Sequence, residues 1–408
     1  MTINLSFEQQ EAVTLCIDTT KRIACVTGQA GTGKTTILRN AFEELVEAFP
    51  SDPNAEKGNI ALAAPTGRAA KRIEEATSIP AMTIHRMLRF TMPEDDAEKG
   101  LPKHGKFNPM PYKVILIDEA SMIDEDLWRN LVDAMATGAL IRFFGDINQL
   151  PPVAGKSPFS AAMKKFPTAV LTHNYRSDDG IISTADRVIK NRLIIANERV
   201  NIFRIKSMDG LQHISNLCKQ VDFRSLDNQI IAPTQNTKLG CGPINLHVQQ
   251  KFNPEKEKIQ TYQKDGAGTL IVRSFKRGDK VLWTKNDYNL EIFNGTLGLV
   301  IDFDEESGSI ICNFDGKDRE IPSTLEAFNP TTGERYTYDP RNYLMLGYAI
   351  TTHKAQGSQF DNVLYVLSNS RAATRQNVYT AVTRAKSRLT ILNVAGALSD
   401  AQNNKVET

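Results

Sequence analysis

Over roughly the first 176 residues, short apolar runs alternate with helical patterns. The runs RIACVTG (22–28), NIALAAP (59–65), KVILIDE (113–119), LIRFFGD (140–146) and AVLTHNYR (169–176) each pass from β-favouring apolar residues into polar ones. That texture predicts strands buried on both faces and ending at a polar rim. Buried strands joined by helices predict a parallel sheet covered on both sides. Such sheets take ligands beyond the carboxyl ends of their strands, which is where Gly28, Pro65, Asp118, Gly145 and Asn174 fall.

The pattern breaks twice. Between about Phe90 and Pro111 the chain becomes TMPEDDAEKGLPKHGKFNPMP, polar and rich in Pro and Gly, so an inserted loop or hairpin is expected there. From about Arg273 to Pro322 strict alternation takes over (DKVLWTK, GTLGLVIDF, SIICNF), punctuated by the turn signals Asn294-Gly295, Ser307-Gly308 and Asp315-Gly316. A small inserted β-barrel is expected. Strand-and-helix texture then returns through YLMLGYAITTHKAQG, VLYVLS and NVYTAVTRAKSRLTILNV, completing a second sheet begun near QIIAPTQN.

A chain of 408 residues exceeds what one core usually serves, so two or three domains are expected. Lys and Arg number 49 against 47 Asp and Glu, and a net charge of +2 supplies no global field for a polyanion. Any nucleic-acid binding must therefore be local. The five cysteines are scattered without a CxxC pair, which argues against a disulfide framework or a zinc site and fits a reducing cytoplasm. Neither a spanning helix nor a signal-peptide layout is visible, so no membrane association is expected.

Gly28-Gln29-Ala30-Gly31-Thr32-Gly33-Lys34-Thr35 matches GxxxxGK[ST] between an apolar strand and a helical run, the context this phosphate-binding loop requires. Its glycines let backbone N–H groups turn around phosphate oxygens, Lys34 reaches the terminal phosphates, and the Thr35 hydroxyl suits magnesium. The following residue, Thr36, is counted in the same nucleotide-binding set. Asp118 and Glu119 end an apolar strand in the form of a Walker B pair, with Asp118 as metal holder and Glu119 polarising the attacking water. An apolar run followed by Asp-Glu also suits a helix cap; the loop at 28–35 favours the catalytic reading. These two elements alone define a P-loop nucleotidase of any kind.

Further blocks narrow the class. GDINQLPPV (145–153) resembles motif III of superfamily 1 helicases, and APTGRAAKRI (64–73), TIHRML (83–88), DEASM (118–122), NYR (174–176), THKAQGSQF (352–360) and VYTAVTRAK (378–386) follow in the order of its RecD-like members. The compact plan resembles phage Dda-type enzymes of superfamily 1B. The resemblance implies two RecA-like α/β domains with parallel sheets, an inserted pin hairpin at about 90–110 and an inserted barrel. The expected boundaries are 1–176 for the first domain, 177–262 with 344–408 for the second, and 263–343 for the barrel.

It also implies roles. Gln9 reads the adenine edge, with a helix-surface glutamine as the alternative; Gln149 senses the γ-phosphate; Arg176 and Arg384 reach that phosphate, with surface ion pairs as the alternative; Gly357 lies in the nucleotide set. Pro65, Thr66, Thr83, His85, Thr352 and His353 fall in blocks that contact a sugar-phosphate backbone, although a lone histidine is often a packed residue. Phe90 or Phe107 could stack on a junction base pair. Gln359 stands where many relatives carry glutamate. The expected activity is an ATP- and Mg2+-dependent 5′–3′ DNA helicase, a soluble monomer acting on single strands and single-strand/duplex junctions, with a single-stranded-DNA-binding protein or replisome and recombination proteins as candidate partners. Two rivals remain: a translocase that strips proteins and unwinds poorly, and a nucleotide-gated single-strand-binding module.

Overall fold

The structure is a computed structural model that describes residues 5–50, 58–90, 100–152, 157–175, 180–264, 269–287, 289–328 and 335–404. It divides into two compact units, residues up to 178 and residues 179–405.

The first unit is built on strands β1 (Ile23–Gly28), β2 (Ile60–Ala64), β3 (Met82–Thr83), β4 (Val114–Ile117), β5 (Leu140–Gly145) and β6 (Thr168–Leu171), in the order β3-β2-β4-β5-β1-β6 and all parallel. Side-chain alternation splits these strands between two cores. Leu62, Ala64, Leu116 and Phe144 pack against α1 (Phe7–Ile17), α2 (Lys34–Ala48) and α3 (Gly67–Thr77). Ala63, Ile115, Ile117 and Phe143 pack against α4 (Ile84–Met87), α5 (Glu125–Asp133) and α6 (Phe159–Lys165). Local signals set the helix starts: Ser6 and Gln9 form a capping box on α1, and Asp124 Oδ1 accepts Leu127 N at 2.8 Å on α5.

Arg142 is the exception in this apolar sheet. Fully buried in β5, it donates Nε to Cys16 O at 2.6 Å, Nη2 to Asp18 O at 2.8 Å and Nη1 to Lys21 O at 2.9 Å. Those carbonyls belong to the last turn of α1 and the loop that follows, so one guanidinium closes a helix end that has no basic residue of its own.

In the second unit, α7 (Gly180–Ile189), β7 (Val200–Ile205), α8 (Gly210–Cys218), β8 (Asn228–Ala232) and α9 (Cys241–Phe252) precede the hairpin β9 (Ile259–Lys264) and β10 (Leu270–Phe275). Next come β11 (Lys280–Trp283), β12 (Leu297–Phe303), β13 (Ile310–Phe314), β14 (Lys317–Ile321), the pair β15 (Leu325–Phe328) and β16 (Arg335–Tyr338), and β17 (Leu344–Leu346). The chain ends in β18 (Ala349–Thr351), β19 (Phe360–Leu367), α10 (Arg375–Val382), β20 (Ala385–Val394) and α11 (Ala397–Asn403). A parallel sheet of order β18-β8-β19-β20-β7 carries α7, α10 and α11 on one face and α8 and α9 on the other.

Between these elements lies the expected barrel, an antiparallel sheet of order β14-β13-β12-β11-β17 around Phe275, Val281, Trp283 and Phe314. Asp315 (φ 54°) and Gly316 (φ 77°) make its tightest hairpin, with both turn residues left-handed as a two-residue loop of this twist demands. A buried carboxylate joins barrel to sheet: Asp279 accepts from Gln249 Nε2 on α9 at 2.5 Å, from Asn253 Nδ2 at the C-cap of α9 at 2.7 Å, from Tyr348 OH at 2.6 Å and from Lys276 N at 2.8 Å.

Residues 91–99 of the expected pin lie outside the described residues. What is described of the insertion forms no strand: Phe90 bridges Pro102, and Gly105 bridges Asn108 across a tight turn. Among the described residues no helix is long and apolar enough to cross a membrane.

Candidate functional site

The loop leaving β1 enters α2 directly. Gly31 (φ 91°) and Gly33 (φ 86°) adopt left-handed backbone, and a Cβ at Gly33 would collide with the Gln9 amide. No side chain caps α2, which leaves its first N–H groups facing the loop's hollow, the arrangement that attracts an anion. Thr32 Oγ1 donates to Gln29 O at 2.9 Å and pins the turn. Lys34 Nζ donates to Gly28 O at 2.6 Å and Gln29 O at 3.0 Å, so the ammonium rests on neutral carbonyls that a phosphate could displace. Thr35 and Thr36 follow on the first turn, both partly buried.

One strand away from β1's neighbour β5, β4 delivers Asp118 and Glu119 to the same rim. Burial pushes the Asp118 carboxyl up to about 6, helped by Glu119 and opposed by Lys34. Glu119 adopts left-handed backbone (φ 53°), donates its N–H to Asp118 Oδ1 at 2.8 Å and keeps Oε2 buried without a partner. After β5, Asp146 Oδ1 accepts Asn148 N at 3.0 Å, and the turn leaves Gln149 4% exposed with Oε1 also unpartnered. Orphaned buried acceptors are costly unless a ligand completes them. Two carboxylates and a threonine hydroxyl are hard oxygen donors of the kind that suits Mg2+, which Thr35 and Asp118 would hold. Among the described residues no group of three or more His, Cys, Asp or Glu could hold a metal ion.

The residues after β6 tie this rim together; of these the sequence marks Asn174 at the rim and Arg176 as a phosphate ligand, but not Thr172, His173 or the role of Tyr175. Glu8 accepts Thr172 N at 2.8 Å, Thr172 Oγ1 at 2.5 Å and His173 N at 3.2 Å, bonds that hold its carboxyl below the usual range. Asn174 Nδ2 donates to Ala30 O at 2.9 Å and Tyr175 N to Gly31 O at 3.0 Å. Helix α1, this segment and the phosphate loop are thus one hydrogen-bonded assembly, with Tyr175 44% exposed at its side. Arg176 lies outside the described residues. Gln9 sits where expected beside the loop, but both ends of its amide are engaged: Oε1 accepts Ser6 N at 3.1 Å and Nε2 donates to Thr32 O at 3.3 Å.

The candidate backbone contacts divide. Pro65 follows β2 on the rim, and Thr66 Oγ1 caps α3 by accepting Ala69 N at 3.2 Å, which leaves its proton free to donate. His85 is exposed, 4.8 Å from the Phe90 ring. Thr83 caps α4 and is 3% exposed. Thr352 is fully buried, donating Oγ1 to Asn377 Oδ1 at 2.7 Å. As placed, Thr83 and Thr352 are structural rather than solvent-facing, because each hydroxyl serves a neighbouring helix. His353 is partly buried, which lowers its pKa. Gly357 turns the chain with φ 71°. Arg384 also departs from expectation: 2% exposed, it donates to Thr380 O at 3.0 Å, Ser358 O at 3.1 Å and Thr383 Oγ1 at 3.0 Å, all in its own unit.

Residues 4–198 match the AAA domain family, residues 244–314 the SH3 domain of ATP-dependent RecD-like DNA helicases, and residues 346–392 the UvrD-like helicase C-terminal domain. The chain is 33% identical over 372 residues to the ATP-dependent RecD2 DNA helicase of Deinococcus radiodurans, covering 90% of this chain and 46% of that one. The chain is thus similar to RecD-like helicases over most of its length. The chain spans just under half of that relative's length. It is 26% identical over 426 residues to the RecBCD enzyme subunit RecD of Mycolicibacterium smegmatis, covering 95% of the chain and 71% of the relative. Its fold matches a Pif1 helicase solved in a study of unwinding at forked duplex DNA (TM-score 0.62, 21% identity, 100% and 95% of the two chains). It also matches Bacteroides Pif1 in complex with ADP-AlF3 and single-stranded DNA (TM-score 0.58, 21% identity, 96% and 92%).

Proposed function

We propose that this chain is an ATP-driven motor that moves 5′ to 3′ along single-stranded DNA and unwinds duplex. The observation that carries the reading is the first rim: an uncapped helix start, an ammonium resting on neutral carbonyls and orphaned oxygens on Glu119 and Gln149, all awaiting a polyanion with its cation. Lys34 and the loop N–H groups would bind the phosphates, with magnesium neutralising part of their charge when bound. Glu119 would hold and orient the attacking water, its unpartnered oxygen accepting the proton. Tyr175, half-exposed beside the loop, would cover the base.

Coupling would run through the Glu8–Thr172–Tyr175 assembly into Arg176, with Arg384 joining only after exchanging its present acceptors for phosphate oxygens. Stepping by two RecA-like domains, with boundaries near 176, 263 and 343, belongs to the same reading, as do the single-strand/duplex junction as substrate, the monomeric state and the cytoplasm. Relatives named as a RecBCD subunit favour recombination or repair proteins as partners. For the wedge at the junction we choose Phe107, 98% exposed on the Gly105–Asn108 turn, over Phe90, which packs against the core beneath α4. The deciding experiment uses duplexes with a 5′ or a 3′ single-stranded tail, with and without ATP. The reading expects ATP-dependent opening of the 5′-tailed substrate; DNA-stimulated hydrolysis with no opening of either would favour the translocase, and no stimulated hydrolysis the nucleotide-gated module.

A further inference from the structure

Beside Glu119 and Gln149, the phosphate rim holds one more buried oxygen without a partner, and nothing so far gives it a task. Ser121 lies just past Glu119 in the 3-10 turn Ala120–Met122 that follows β4. It is 4% exposed, and its Oγ has no hydrogen-bond partner. Topology brings it to the other two. Strands β4 and β5 are parallel neighbours with Ile117 level with Phe143, so the segments that leave them, 118–122 and 146–149, run past the same end of the sheet.

The turn that carries Ser121 is well anchored. Glu119 O accepts Met122 N at 3.0 Å and Ala120 O accepts Ile123 N at 3.2 Å, while the Ala120 and Ile123 side chains pack in the core with Phe143 and Phe159. A Cβ on Gly145 would lie 2.7 Å from the Phe159 ring, which keeps the exit of β5 tight against α6. A serine in a helical turn ordinarily returns its proton to a carbonyl of the preceding turn, and this one does not. Of the three orphaned atoms, the ionised carboxylate and the amide oxygen can only accept; the hydroxyl is the one that can donate.

We propose that Ser121 is a positioning residue whose hydroxyl donates to Gln149 Oε1 once nucleotide is bound. An amide pinned by its oxygen presents its N–H donors on the opposite side, which is what a terminal phosphate needs from Gln149. This rests on the reading of the chain as an ATP-driven motor. The test compares ATP turnover, with and without saturating oligo(dT), and thermal melting for the wild type, Ser121→Ala, Ser121→Thr, Gln149→Ala and the double variant Ser121→Ala with Gln149→Ala.

Ser121→Ala should lower DNA-stimulated kcat about tenfold, the effect of one lost hydrogen bond, with the KM for ATP within about twofold. It should melt at or above the wild-type temperature, because an unsatisfied buried hydroxyl has gone. Threonine keeps the hydroxyl and should restore most of the turnover; if it fails to fold, Ser121→Cys, a weaker donor of similar size, should fall between serine and alanine. The double variant should be no slower than Gln149→Ala alone, since the two side chains act as a unit. Wild-type turnover in Ser121→Ala overturns the assignment, as does a lower melting temperature with full kcat per folded molecule, which marks a packing residue. Losses that multiply in the double variant overturn the link to Gln149. A wild type whose hydrolysis DNA does not stimulate overturns the motor reading itself, a failure seen before any variant is compared.

Discussion

At the rim of the first sheet Lys34 rests on two loop carbonyls while Glu119 and Gln149 each keep a buried oxygen without a partner; at the rim of the second, Thr352 and the Arg384 guanidinium are bonded inward to neighbours. The first arrangement is held against the local cost of desolvated, unsatisfied groups, and a bound polyanion would relieve it. At the second the Arg384 guanidinium and the Thr352 hydroxyl are already engaged, although Ser358 Oγ and Asn377 Nδ2 are buried there without a partner, so a ligand taken by Arg384 must first break its present bonds. Readiness and release are thus separated along the chain.

The largest effect expected to break this contrast is at Lys34. Lys34→Ala should lower DNA-stimulated ATP turnover at least about a thousandfold, while single-strand affinity in anisotropy stays within a few-fold. Turnover near that of the wild type would remove the poised rim from consideration. Next comes Arg384→Lys, expected to reduce turnover about a hundredfold with nearly unchanged nucleotide affinity if the side chain is released during the cycle. A lower melting temperature with full turnover per folded molecule would mark it as scaffold only.

Asp118 sharpens the same contrast through pH. Its folded pKa of about 6 stands above the ordinary 3.8, so the stability it contributes is complete below about pH 4 and lost as pH rises through 6. Asp118→Asn should therefore be more stable than the wild type at pH 7, by roughly 1–3 kcal/mol in urea unfolding, yet inactive. In the wild type, turnover should fall as pH drops below about 6, and excess Mg2+ should move that midpoint downward. Equal stabilities of the two proteins at pH 7 would mean the carboxyl is not strained. The smallest effects belong to the latch: Glu8→Gln and Tyr175→Ala should each raise the KM for ATP about two- to fivefold, and Phe107→Ala should slow unwinding without changing turnover.

How far the chain could be read depended on range. The first sheet, its phosphate loop and Asp118–Glu119 were legible because buried strands and a loop with fixed glycines are local patterns; the barrel announced itself through turns such as Asp315-Gly316. The hairpin of β9 and β10 was not foreseen, since Gln260, Thr261 and Gln263 dilute its alternation. Nor could the sequence reveal that Arg142 closes a helix end 126 residues away, or that Glu8 holds residues 172 and 173. Such partners are chosen by the fold. The inward turn of Arg384 was hidden for the same reason: TAVTRAK identifies the residue, while Ser358, which helps hold it, arrives from another strand's loop.

The carboxylate of Asp279 has a consequence for how this molecule can be taken apart. It is the common acceptor for the amides of Gln249 on α9 and Asn253 at its C-cap and for the Tyr348 hydroxyl, so excising the barrel would strand three donors in an apolar interior, and a barrel grafted elsewhere would carry an uncompensated anion on its flank. Barrel and second sheet should accordingly melt as one cooperative block, and swaps between homologues should succeed only when α9 travels with the barrel.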